Sequence, residues 1–181
     1  MRGAAILMCL ASAVAPALAG VAPTEPPHQG LTVAGPDRTP DEVQLDLGLS
    51  VIGVAYEHAL NWHWSVQAEA DITSTYFAPW FDRGDRVDGY AVGLRGSWFP
   101  GGNGHGLYVA PYGRVARVTA DGVTGSGIGV SGGAFVGWAW RITDRIDIRA
   151  GAGAQYYDYK VGGTGLASPF VALDGVVGYR L

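Results

Sequence analysis

Six charged side chains, Asp46, Glu69, Arg95, Arg114, Asp147 and Arg149, fall in the middle of segments whose other residues alternate apolar and polar. A charge held away from water is costly unless it is paired, and carboxylates beside guanidiniums form the strongest pairs available to side chains. The chemistry expected of this set is therefore a buried ion-pair network. Other chemistries find less support. His28, His58, His63 and His105 are dispersed, and the close pair His58 and His63 has opposite parity, so no metal site is expected. No Gly-x-Ser-x-Gly elbow occurs and no Ser-His-acid grouping follows from spacing, so no catalytic residues are assigned. Gly122, Gly125, Gly127 and Gly129 lack the strand-loop-helix context of a phosphate cradle. No cofactor is expected.

The elements that must position these charges are strands. In the clearest segment Trp62, Trp64, Val66, Ala68, Ala70 and Ile72 share one face, while His63, Ser65, Gln67, Glu69, Asp71 and Thr73 share the other. Period-two alternation of this kind is the signature of a strand with two different environments. It recurs over Val43 to Val51, Tyr90 to Trp98, Leu107 to Val115, Ala134 to Trp140, Ile146 to Tyr156 and Val171 to Leu181, with Pro111 an irregularity in its strand.

Three features choose lipid over water for the apolar face. The strands run about 10 to 15 residues, the length of a tilted bilayer crossing. The polar face carries full charges at mid-strand, the inverse of a soluble core. Short connections around 59–61, 100–106 and 141–144 alternate with longer ones at 75–87, 120–127 and 160–169. Trp62, Trp64, Trp98, Trp138 and Trp140 all lie beside the short turns, and Tyr179 falls at the same level. That is where an aromatic girdle at the headgroup boundary belongs. The fold expected is all-β: an eight-stranded antiparallel up-and-down transmembrane barrel. Seven strands are read directly. An even count requires one more, and topology assigns it to residues 28–34, with 36–42 as the following loop.

The ends of the chain fit this setting. Arg2, the apolar run from Ala4 to Val14 and Ala17-Leu18-Ala19 form a secretory signal over residues 1–19, with the mature chain expected from Gly20. Cys9 lies inside the apolar run and is not preceded by the small residues of a lipid-anchor site. Prolines at 23, 26 and 27 make residues 20–27 a linker, leaving 28–181 for the barrel domain. The formal charge of -4 becomes -5 without Arg2 and is scattered, so a nucleic-acid partner is not expected.

The segments Val54-Ala55-Tyr56-Glu57-His58-Ala59-Leu60, Gly93-Leu94-Arg95-Gly96-Ser97-Trp98-Phe99-Pro100 and Gly106-Leu107-Tyr108-Val109-Ala110-Pro111-Tyr112, with the closing strand, resemble the small eight-stranded outer-membrane barrels of the OmpA-domain and OmpX type. The resemblance covers most of the mature chain and implies architecture more than one family. It implies a C-terminal insertion signal at Tyr179 and Leu181, read by the barrel-assembly machinery. The terminal residue here is Leu where Phe is commoner, and Val176 stands where Gly is typical. The peptidoglycan-binding domain of OmpA proper has no counterpart in these residues, so that role is not carried over.

An eight-stranded barrel is just wide enough for its own side chains to fill. The lumen charges then either define a narrow polar pathway or, as size favours, close into a plug. Phe77, Trp80, Phe81 and Arg83 in the loop after the strand ending near Ser74, together with Arg117 on the outward face, are the candidates for contact with lipopolysaccharide or a partner. The Arg83-Gly84-Asp85 triplet is too short to carry an adhesion reading. The function expected is a non-enzymatic, monomeric outer-membrane protein with a structural or surface role. A narrow channel and a lipid A-modifying enzyme are the rivals.

Overall fold

The computed structural model describes residues 41–74, 87–162 and 164–181. Eight strands, β1 (Glu42–Leu47), β2 (Val51–Ala59), β3 (Trp64–Ser74), β4 (Val87–Trp98), β5 (Gly106–Ala120), β6 (Gly127–Arg141), β7 (Ile146–Val161) and β8 (Thr164–Arg180), pair in sequence order. Every pairing is antiparallel, and β1 returns to β8 to close the barrel. The alternation read in the sequence maps onto the wall. Along β1 and β2, Val43, Leu45, Ile52, Val54 and Tyr56 point outward, while Glu42, Gln44, Asp46, Ala55 and Glu57 point into the lumen.

The eighth strand is not where topology assigned it. Residues 28–34 lie outside the described residues, and the sheet closes with strands that begin at Glu42. The segment read as one strand from Val43 onward is a hairpin. It turns at 48–50, pairing Leu47 with Ile52 and Glu42 with Glu57. The turn reverses parity: Val43, Leu45 and Leu47 face outward before it, Ile52, Val54 and Tyr56 after it, and Val51 is buried. The connection expected at 160–169 is also shorter, because β7 and β8 stay paired up to Val161 and Thr164. Glycine dilutes the alternation where β6 begins seven residues before Ala134, yet Ile128 and Val130 still face outward there.

Pro111 is accommodated by register. On the β6 side it sits opposite Ala134, while on the β4 side the pairing recorded at Arg95 with Tyr112 resumes only at Trp98 with Val109. The missing donor of proline therefore falls where the ladder is interrupted.

The rim carrying Glu42 and Leu181, here the lower rim, also carries the turns at 60–63, 99–105 and 142–145. Asp41 fastens the seam there. Its carbonyl accepts from Leu181 N (2.9 Å), and its carboxylate accepts from the Tyr56 hydroxyl (2.7 Å) and the Ala59 amide (3.3 Å). His58 Nδ1 lies 2.9 Å from the same carboxylate. The Tyr56 hydroxyl first, then His58, hold the Asp41 carboxyl below its usual 3.8. A depressed carboxyl contributes stability that is present above 3.8 and lost as pH falls through the lower folded value.

Close approach inside the lumen depends on two glycines. Gly137 and Gly151 face each other across β6 and β7, and the Tyr108 hydroxyl reaches both of them. A Cβ on either would come within 2.6 Å of the Tyr108 hydroxyl. Gly151→Val is expected to lower the urea midpoint in detergent, by about 1–3 kcal/mol of stability as for other overpacked cores. Asp41→Asn is expected to lower the thermal unfolding temperature at pH 7. The gap from the unsubstituted protein should shrink as both are taken well below pH 3.8, read by tryptophan fluorescence.

Candidate functional site

The lumen is filled in three layers. At mid-height Arg95 from β4 and Arg114 from β5 meet carboxylates from β1, β3 and β8. Arg95 Nη1 donates to Asp174 Oδ1 (2.8 Å) and Nη2 to Asp46 Oδ2 (2.6 Å), with Glu69 Oε2 at 3.5 Å. Arg114 Nη2 donates to the same Asp46 oxygen (3.0 Å), and its Nε lies 2.6 Å from Glu69 Oε1 and 2.9 Å from Asp71 Oδ2. Asp46 thus joins the two guanidiniums. Tyr108 completes the layer by donating its hydroxyl to Asp174 Oδ2 (2.5 Å).

The layer below is built around Arg149 and Arg180. Arg149 forks onto Glu57, with Nη1 to Oε2 at 2.6 Å and Nη2 to Oε1 at 2.9 Å, and also donates to Glu42 Oε2 (3.0 Å). A bidentate fork of this kind fixes geometry as well as charge. Arg180 Nε donates to Asp147 Oδ2 (2.8 Å) and lies 3.4 Å from Glu42 Oε1, so Glu42 bridges the two arginines. Gln44 donates to both Glu42 (2.9 Å) and Glu57 (3.1 Å).

Aromatic rings fill the remaining width. The guanidinium carbons of Arg95, Arg114 and Arg149 stand 5.2, 4.5 and 5.3 Å from the ring centres of Phe135, Tyr112 and Phe99. Tyr112 and Phe135 stack at 4.9 Å. Cation and ring attract each other most where water is excluded. Toward the upper rim the lumen turns apolar, packed by Val118, Tyr157, Tyr159 and Val161 with Val87 and the alanines 91, 116 and 120.

All six charges singled out from the sequence are buried in the lumen. Asp46, Glu69, Arg95 and Arg114 share the middle layer, and Asp147 and Arg149 belong to the lower one. The network is larger than that set. Glu42, Glu57, Asp71, Asp174 and Arg180 complete it, so that among the described residues seven buried carboxylates face four buried arginines. Asp71, Asp174 and Arg180 share their faces with the residues chosen, and the alternation alone could have found them. Glu57 required the parity reversal at 48–50.

At the lower rim Trp62, Trp64, Trp98, Trp138, Trp140 and Tyr179 all point outward, with Trp64 directly opposite Trp98 and their rings 6.3 Å apart. Leu181 is outward too, and Arg145 Nη1 donates to the Tyr179 hydroxyl (3.0 Å). His58, His63 and His105 sit at this rim, where Nδ1 of His63 lies 2.9 Å from Phe99 O and Nδ1 of His105 3.2 Å from Gly102 O. Phe77, Trp80, Phe81 and Arg83 lie outside the described residues, as does His28. Arg117 is described and points outward near the upper rim.

A closed eight-stranded antiparallel barrel, apolar outside and charged within, is the fold that small outer-membrane β-barrels share. Among solved structures the chain is similar to Neisserial surface protein A, with 15% sequence identity, a TM-score of 0.55, and coverage of 78% of this chain and 94% of that one. It also matches the N-terminal β-barrel domain of Pseudomonas aeruginosa OprF at 16% identity, covering 78% of this chain and 95% of that domain with a TM-score of 0.48. No protein-family model matches the sequence, and no curated protein matches it. At these identities the likeness is one of fold.

Removing one member of a buried pair leaves the other charge uncompensated, which costs about 3–5 kcal/mol. Arg114→Ala leaves Asp71 without a guanidinium and Asp46 and Glu69 with Arg95 alone, and should lower unfolding stability in detergent by that order. Lys160→Ala, on the exposed wall beside Asp158, should leave it unchanged within about 0.5 kcal/mol.

Proposed function

We propose that this chain is a non-enzymatic outer-membrane protein with a structural or surface-interaction role, acting as a closed barrel and not as a passage. In this reading residues 1–19 direct export and are removed, and the assembly machinery inserts the barrel using Tyr179 and Leu181. The lower rim faces the periplasm and the protein works as a monomer in lipopolysaccharide. Its tryptophans then lie at the inner headgroup boundary.

The filled lumen is the observation that carries this reading. Two layers of ion pairs, three guanidinium-ring contacts and an apolar upper layer occupy the width that a solute would need. Each lumen arginine is held by at least one carboxylate of the wall, so none is left free to line a pathway. The outward face supports membrane residence, since Val54, Val92, Leu94 and Val171 are each at least 60% exposed. In water such a surface would drive association.

The narrow channel is kept as the second reading because carboxylates outnumber arginines in the lumen, which would favour cations in any current. Protein folded in detergent and shown to be heat-modifiable on a gel should give no stepwise conductance in planar bilayers at any holding voltage. Cation-selective steps from that same preparation would establish the channel and overturn the closed barrel.

A further inference from the structure

Arg117 stands on the lipid-facing wall of β5, directly opposite Tyr90 of β4 and Ile128 of β6. Those neighbours are 74% and 75% exposed, the two most exposed large apolar residues among the described residues. Between them runs an open-sided cleft of about 570 Å³, lined by Tyr90, Val92, Val115, Arg117, Ser126 and Ile128. Gly127 and Gly129 flank Ile128 and add no side chain of their own.

The cation in this cleft has donors to spare. Arg117 Nε donates to Ser126 Oγ (3.2 Å), which orients the guanidinium, and among the described residues no carboxylate pairs with it. Every lumen arginine has at least one carboxylate partner. On the wall, Lys160 is matched by Asp158 at 3.0 Å. A lone cation facing lipid is tolerated only near the membrane boundary, and it is stabilised there by an anion in the headgroup layer.

The height of Arg117 agrees. It lies ten residues along β5 from Leu107, which pairs with Trp138 of the lower aromatic rim. At about 3.3 Å per residue and a tilt of roughly 40°, that is about 25 Å along the membrane normal, the full height of an apolar band. Arg117 therefore sits where hydrocarbon gives way to headgroups on the side away from the tryptophans. Val92 and Val115 lie one inward-outward repeat below it, at acyl-chain depth.

We propose that this cleft binds one phosphorylated lipid of the outer leaflet, its phosphate on the Arg117 guanidinium and an acyl chain along Val92 and Val115 between Tyr90 and Ile128. The assignment rests on the outer-membrane reading given above. The two groups recognised, phosphate and acyl chain, are those of a lipid A-type glycolipid, and neither inorganic phosphate nor an uncharged detergent supplies both.

The test uses the heat-modifiable barrel in mild detergent, with native mass spectrometry reading the number of lipids retained. Bisphosphorylated lipid A, the same lipid dephosphorylated, and inorganic phosphate are the probes. The expected result is one retained bisphosphorylated lipid A, at least fivefold more than the dephosphorylated form and undisturbed by millimolar phosphate. Arg117→Gln should abolish that preference, and Val115→Asp should lower retention of both lipids. Equal retention of the two lipids, or full retention by Arg117→Gln with heat-modifiability intact, would overturn the site. Loss of heat-modifiability in the unsubstituted protein would instead strike at the membrane barrel itself.

Discussion

A sheet surrounded by hydrocarbon has no water to satisfy an open edge, so each outward-facing strand needs partners on both sides. In this chain that requirement falls on five residue pairs, Glu42 with Arg180 through Asp46 with Val176, by which the short strand β1 meets the long strand β8. The seam is short and is reinforced from both sides. Outside it, Asp41 holds the Leu181 amide and the end of β2. Inside it, Glu42 ties Arg180 of β8 to Arg149 of β7, and Asp46 reaches across to Arg95 and Arg114. The ion network therefore serves as the core of the fold and also as the inner brace of its closure.

Closure dictates where chemistry can be. Once the exterior is given to lipid, polar side chains have only the lumen and the rims. The lumen of an eight-stranded barrel is narrow enough that arginines from one wall reach carboxylates on the other. Arg95 on β4 meets Asp174 on β8 in this way. Long side chains with rings packed against their flat faces replace the aliphatic packing of a soluble core. Gly137 and Gly151 make room for Tyr108, which in turn caps the same Asp174. The result is an interior in which hydrogen bonds and ring contacts restrain the arginines, and this favours a filled barrel over a conducting one.

Much of the architecture was legible because lipid and lumen impose opposite demands on alternate residues. Trp64 to Ile72 and Ile146 to Tyr156 state that alternation plainly, and the six central charges were found by it. The eighth strand was missed at one turn. Val43 to Val51 preserves an apolar period through Leu47 and Leu49, and only the shift to Ile52, Val54 and Tyr56 betrays the hairpin. Placing Glu57 in the lumen depended on that shift. Pairings across the barrel were beyond the reach of pattern, since nothing local to Asp147 says that its partner is Arg180 and not Arg149. Arg117 was readable as an outward cation, but its cleft depends on two neighbouring strands and on the register that sets Tyr90 and Ile128 beside it.

Side chains of alternate parity should therefore meet lipid on one face of the wall and an ion-paired interior on the other, a division that nuclear magnetic resonance in lipid nanodiscs reads residue by residue. Contacts are expected from acyl-chain protons to Val54, Val92, Leu94 and Val171. The guanidinium protons of Arg95, Arg114 and Arg149 are expected to exchange slowly with water and to contact neither lipid nor bulk solvent. Water contacts at those valines, or fast exchange at the three arginines, would contradict that division.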